Sequence, residues 1–163
     1  MRKWLVLLVI ALLGVGLLFL VGCDGKDSDA DGSDAVDSST SAAGDGSDLI
    51  GVIWKLTKMA DASGAAASAV ADDIVATLEF AADGMYFAQA PVNTVRGPYT
   101  FGAPDRLTLA EGAMTQMAGI DDAHNVAETT FVGLLSKVVS YKVQGDTLSL
   151  LDDAGAVILE FTK

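Results

Sequence analysis

The chain has 163 residues, with 22 acids against 10 lysines and arginines and a formal net charge of −12. That balance provides no basic face, so a nucleic-acid partner is not expected. Cys23 is the only cysteine and His124 the only histidine, which leaves no intrachain disulfide and no zinc site of the usual ligand set.

Arg2 and Lys3 open the chain, and an unbroken apolar run of seventeen residues (4–20) follows. The run closes on Leu20, Val21, Gly22 and Cys23. A charged start, an apolar middle and a small-residue end form the layout of a bacterial export signal. The last four residues resemble the lipobox of bacterial lipoproteins. In that family the cysteine sulfur takes a diacylglyceryl group, the signal is cut just before it, and the new amino terminus is usually acylated. The residue types suit the chemistry: Leu20 for an apolar recognition pocket, Gly22 for close approach of the peptidase, a thiol for the thioether. The rival reading is an uncleaved membrane helix, since the apolar run sits at the lower edge of spanning length. The complete lipobox and the acidic stretch beyond it favour cleavage. Residues 1–22 are thus expected to be a lipoprotein signal peptide. Cys23 is then the lipidation site, and the mature chain is anchored in the bilayer by acyl chains without spanning it. Asp24 resembles an inner-membrane retention signal of enteric bacteria that other bacteria do not follow. The expected location is the bacterial cell envelope, at the inner or outer membrane, with the domain facing the periplasm or the exterior.

Residues 24–48 are almost entirely Asp, Ser, Gly, Ala and Thr, and eight aspartates face the single Lys26. Such a composition buries too little surface to offset the entropy of ordering, so a disordered acidic tether over 23–48 is the reading it supports. As a coil it would reach roughly 28 Å, and further under self-repulsion. Asp27, Asp29, Asp31 and Gly32 reproduce the opening of an EF-hand-like calcium loop. The match then fails, because Ser38 stands where a bidentate Glu belongs and Asp34 where an apolar anchor belongs. These three aspartates are a weak calcium candidate and the segment reads as a spacer.

Residues 49–163 suit one small domain. Its pattern is mostly alternating, which argues for strands. "GVIWKLTK" puts Val52, Trp54 and Leu56 on one face. Residues 60–73, rich in Ala, Ser and Gly, read as a loop. "IVATLEF" groups Ile74, Ala76, Leu78 and Phe80, and "AADG" is a hairpin signal before "MYFAQA". "GPYTFG" and "DRLTLAEG" are two further short strands. In "DDAHNVAETTFVGLLSKV", Val126, Phe131, Leu134, Leu135 and Val138 fall near helical spacing behind the capping candidates Asp121 and Asp122. "VSYKVQ", "TLSLL" and "AVILEFT" complete the series, with turns at 145–146 and 152–155. The fold expected is mainly β: a small antiparallel barrel or curled sheet of about eight strands, with one packed helix near residues 122–137.

The ordered series of pieces resembles the META domain of HslJ-like proteins. Its parts are Trp54 and Leu56 in "W-x-L", "LEF-x-x-DG" from Leu78 to Gly84, Asn93, and "G-x-Y" at Gly97 and Tyr99. "T-x-M-A" at Thr115 and "E-x-x-F-x-x-L-L" at Glu128 follow, then "Y-K-V-x-GD-x-L-x-L" from Tyr141 and "G-x-x-x-L-x-F" from Gly155. Two positions depart from the family pattern: Val92 and Gly119 stand where the family often has cysteines. The resemblance implies a compact antiparallel barrel with a packed helix, usually at the envelope and frequently on a lipoprotein. It implies no established reaction, and the role expected of the protein is a non-catalytic one in binding or envelope stress.

His124, beside Asp121, Asp122 and Asn125, could serve as a general base, which would make the protein a hydrolase. The plainer reading is an exposed polar residue in the first helical turn. No serine sits in a G-x-S-x-G elbow. The paired carboxylates Asp72-Asp73, Asp121-Asp122 and Asp152-Asp153 each fall in a turn or cap, where adjacent side chains point apart. Neither an enzyme nor a cofactor is expected. Trp54, Phe80, Tyr86, Tyr99 and Tyr141 could line a cavity for a small apolar ligand, or simply fill a barrel with little interior to spare. The partners expected are the membrane through the lipid, and an unknown envelope protein or small apolar ligand.

Overall fold

The computed structural model describes residues 45–163. Cys23 and the calcium candidates Asp27, Asp29 and Asp31 lie outside the described residues. A short 3-10 turn, Ser47–Leu49, leads into β1 (Ile53–Met59), β2 (Ser68–Ala69), β3 (Thr77–Phe80) and β4 (Met85–Gln89). Then come β5 (Thr94–Gly102), β6 (Arg106–Leu109), β7 (Ala113–Met114), the helix α1 (Asp122–Leu135), β8 (Ser140–Gln144), β9 (Thr147–Leu151) and β10 (Val157–Thr162).

All pairings between these strands are antiparallel, in the order β10-β9-β8-β6-β5-β4-β3-β1, and a lone parallel bridge joins Ile50 to Phe80. The return of β10 to β1, with Leu56 opposite Phe161, closes the sheet into an eight-stranded barrel. Closure leaves no long free edge in the main ring. β2 and β7 are short additions: β2 continues the β3 side of β1, and β7 continues the β6 side of β5. The loop expected over 60–73 therefore contains a two-residue strand. β7 had no signal of its own, since "AM" has no alternation to read.

Alternation explains the barrel. In β1 the side chains of Trp54 and Leu56 are buried while Ile53 and Lys55 face out, and β3 repeats this with Leu78 and Phe80. The buried apolar set runs from Leu49 to Phe161, so the domain carries its own core. Each large side chain buried in it contributes on the order of 1.5–3 kcal/mol. An eight-stranded ring has an interior just wide enough for such side chains to fill.

One close approach is demanded at the β6–β7 junction. A Cβ on Gly112 would fall 1.9 Å from the Arg96 carbonyl oxygen, so only glycine lets the chain turn there and rejoin β5. The helix starts where the sequence indicates, with Asp121 as its N-cap. It lays Phe131, Leu134 and Leu135 on the barrel, and the Phe131 ring meets the edge of Phe161 at 6.4 Å. Val126, assigned to the same apolar face, is instead 65% exposed. Five residues separate it from Phe131, which at 100° per residue puts it well round the helix from the core stripe.

Candidate functional site

The aromatic residues proposed as possible ligand liners occupy the core. Phe80, Tyr99 and Phe101 meet in a ring triad with centroids 5.0–5.3 Å apart, and Tyr141 joins through Phe101 at 5.4 Å. Their edge-on geometry is the favourable one for packed rings. The Tyr99 hydroxyl donates to the Ala81 carbonyl at 2.8 Å and the Tyr86 hydroxyl to that of Ala110 at 3.2 Å. Burial pushes the phenols of Tyr86, Tyr99 and Tyr141 above their ordinary range. Trp54 is 1% exposed, and its indole N–H has no partner. Of the five, Tyr86 reaches a recess, one of about 570 Å³ between β5–β7 and the later half of α1.

A second group ties the helix and its lead-in to the barrel. Asn93 is 4% exposed, and its Oδ1 accepts from the Thr115 hydroxyl at 2.8 Å and from Met117 N–H at 2.7 Å. Its Nδ2 donates to the Met117 carbonyl at 3.2 Å. Glu128, 8% exposed on α1, uses Oε2 to accept from the N–H groups of Val92 and Asn93 at 2.9 and 3.3 Å. Its Oε1 is buried without a partner. Three scattered motif pieces, around Asn93, Thr115 and Glu128, thus form one polar pin. Sequence reasoning missed it, although a Glu placed between the buried Ala127 and Phe131 was a usable signal. The two departures from the family pattern also meet here. A Cβ on Gly119 would lie 3.0 Å from Val92 Cγ2 and 2.9 Å from Asn125 Oδ1, so a bare α-carbon lets the lead-in to α1 approach the β4–β5 turn.

His124 corrects an expectation. It lies in the first turn as read, yet its side chain is only 12% exposed. The ring folds back onto its own cap: Asp121 Oδ1 accepts from the His124 backbone N–H at 2.9 Å and from ring Nδ1 at 2.8 Å. The Asp121 bond raises the imidazole pKa above its ordinary value, against desolvation, and the charge and backbone of Asp73 add to the rise. The same contacts, the backbone bond first, lower the Asp121 carboxyl. Asp72-Asp73 lies in a turn, and Asp152 caps its own turn by accepting from the N–H groups of Ala154 and Ala156.

A groove of about 770 Å³, open to solvent, lies between α1 and the β1–β2 corner. Met59, Ala60, Val70 and Ile74 line one wall. Ala123, Val126, Ala127 and Thr130 line the other, with Asp61 and Asp122 among the lining residues. It exists because the side chains there are small. The Ala-rich stretch at 60–71 and the Ala123 and Ala127 positions of the helix leave space that larger residues would fill. The volume falls within the roughly 300–1,000 Å³ of specific ligand sites. Sequence reading passed over it as a soft loop. Among the described residues no cluster of His, Cys, Asp and Glu is arranged to hold a metal ion.

The META domain family model matches residues 47–163. Among curated proteins there is no match. An NMR structure of a protein from Burkholderia xenovorans is similar at 21% identity with a TM-score of 0.60, covering 85% of this chain and 96% of that one. A crystal structure of a DUF4847 family protein from Bacteroides vulgatus is similar at 15% identity with a TM-score of 0.50, covering 73% of this chain and 96% of that one. At such identities both show the fold alone.

Proposed function

The chain belongs to the META domain family, and from that premise we propose a non-catalytic binding protein of the bacterial envelope. In this reading Cys23 carries the lipid, the acidic stretch from 24 to 44 is the spacer, and the barrel presents the groove beside α1 to a partner. The last four residues of the expected tether instead belong to the domain, where Gly46 is buried and Ser47–Leu49 form a 3-10 turn. The observation that carries it is the contrast between a filled barrel and an open apolar groove of about 770 Å³ on its flank. A carrier of small apolar ligands needs an enclosed cavity, and the rings that would line one are packed against each other. The hydrolase reading loses support because His124 Nδ1 is engaged by its cap at 2.8 Å.

Two experiments test the two halves. A photo-crosslinking residue at Val126, in the groove, should give discrete adducts in living cells, whereas one at Ile53, exposed on β1 but outside the groove, should not. The same adducts from both positions would remove the groove from the proposal. For the anchor, Cys23→Ser takes away the sulfur that would carry diacylglycerol. The variant should remain unprocessed and incorporate no labelled fatty acid; normal labelling would defeat the lipoprotein assignment.

A further inference from the structure

The groove has a distinctive charge as well as an apolar floor. Asp61 and Asp122 are among its lining residues, and no basic side chain is. Asp72 and Asp73 sit between the lining residues Ala71 and Ile74, and Asp121 immediately precedes Asp122. All five aspartates are exposed. The neighbouring Lys58 is tied to Glu160 at 2.8 Å. The positive end of the α1 dipole is answered by its Asp121 cap and by Asp122 in the first turn. Lys137 lines a smaller recess that shares Ala62 and Thr130 with the groove. Even with His124 protonated and Lys137 counted, five carboxylates against two cations leave three net negative charges in and beside the groove.

Shape narrows the occupant further. The helix contributes Asp122, Ala123, Val126, Ala127 and Thr130, which is one stripe running along its axis. From 122 to 130 that stripe is about 12 Å long, at 1.5 Å per residue. An open, mostly apolar groove walled on one side by about two turns of helix can accept one more amphipathic helix. An acidic rim around it selects a basic partner and repels anionic lipid headgroups.

Resting on the groove-binding reading above, we propose that the groove's partner is a cationic amphipathic helix, a protein or peptide segment. Its Leu-class residues would sit between the Ile74 and Val126 walls and its Lys or Arg side chains over Asp61, Asp72, Asp73 and Asp122. The partner's basic face supplies what the chain lacks at that place. Its apolar stripe covers Val126, which is 65% exposed.

The test uses residues 24–163 and two synthetic helices with identical leucine stripes, one carrying lysines and the other glutamates. Isothermal titration should show the Leu/Lys peptide binding at least about tenfold more tightly than the Leu/Glu peptide, with the gap narrowing as salt rises. Val126→Ser, at an exposed position that the fold tolerates, should weaken the Leu/Lys peptide about fivefold. Asp72→Asn with Asp122→Asn should weaken it at low salt and much less at high salt. The acidic spacer is common to every variant, so dependence on Val126 separates groove docking from diffuse attraction. Leu/Lys binding indifferent to Val126→Ser would overturn the inference, as would binding by neither peptide. Equal affinity for both peptides, each sensitive to Val126→Ser, would overturn the charge argument while leaving the groove as the binding face. Phosphatidylglycerol vesicles that bind through Val126 where the peptides do not would overturn it in favour of lipid.

Discussion

Two apolar regions of this domain have opposite fates. Inside the barrel, the rings of Phe80, Phe101 and Tyr141 pack against one another, and Trp54 and Phe161 are buried in the same core. On the flank, Met59, Val70, Ile74 and Val126 are separated by alanines too small to close the gap, and a groove remains. Both regions are hydrophobic, so hydrophobicity does not tell them apart. Side-chain volume does: close packing is the rule in interiors, and a surface that fails to reach it has been left available.

The largest expected effect tests the filled region. Trp54→Ala should destabilise the domain by about 3–5 kcal/mol in denaturant unfolding, the usual range for a fully buried aromatic. Because the indole N–H has no partner, Trp54→Phe should cost far less, about 1.5 kcal/mol or under. A Phe variant as damaged as the Ala variant would mean the nitrogen has a bond not seen here.

The polar pin comes next, since it decides whether the groove's helical wall holds its place. Asn93→Ala removes the acceptor of Met117 N–H and Thr115 and should cost about 2 kcal/mol, the scale for orphaning buried donors. Amide exchange should then speed up at Met117 and in the first turns of α1. Unchanged exchange there would show that the helix is held by Phe131, Leu134 and Leu135 alone.

Filling the groove sharpens the contrast from the other side. Ala123→Leu, at an exposed lining position, should alter stability by no more than about 0.5 kcal/mol. It should nevertheless suppress the adducts formed from Val126. Persistence of those adducts would detach partner binding from groove volume.

The smallest effect concerns pH. His124 is raised, so its contribution is complete below the ordinary imidazole value of 6.5 and is lost as pH climbs through the raised one. Asp121 is lowered, so its contribution is complete above 3.8 and is lost as pH falls through the lowered one. The pair should therefore stabilise the helix start most between these values. A wild-type minus His124→Gln difference in unfolding midpoint should peak in that window and shrink by pH 9. A difference that grows with pH would reverse the assignment.

The sequence by itself determined the eight strands of the main ring and, for β1 and β3, which face is buried, because period-two alternation is local. The two-residue β2 and β7 carried no such signal. Trp54 with Leu56, and Leu78 with Phe80, could be paired without any knowledge of neighbours. The Asp121 cap was equally legible, since a cap is satisfied by backbone N–H groups of its own first turn, and the ordered motifs were enough to suggest the family. What only the tertiary structure decided was every relation between distant segments. Closure of β10 onto β1 joins residues 100 to 107 positions apart. The pin brings Asn93, Thr115 and Glu128 together from three separate stretches. His124 is covered because its ring turns onto Asp121, and Val126 is exposed because the helix presents another stripe to the barrel. The groove was the least legible feature. An alanine-rich stretch carries no sign of the gap it creates until the elements on both sides are in place, because empty volume belongs to the space between residues and to none of them singly.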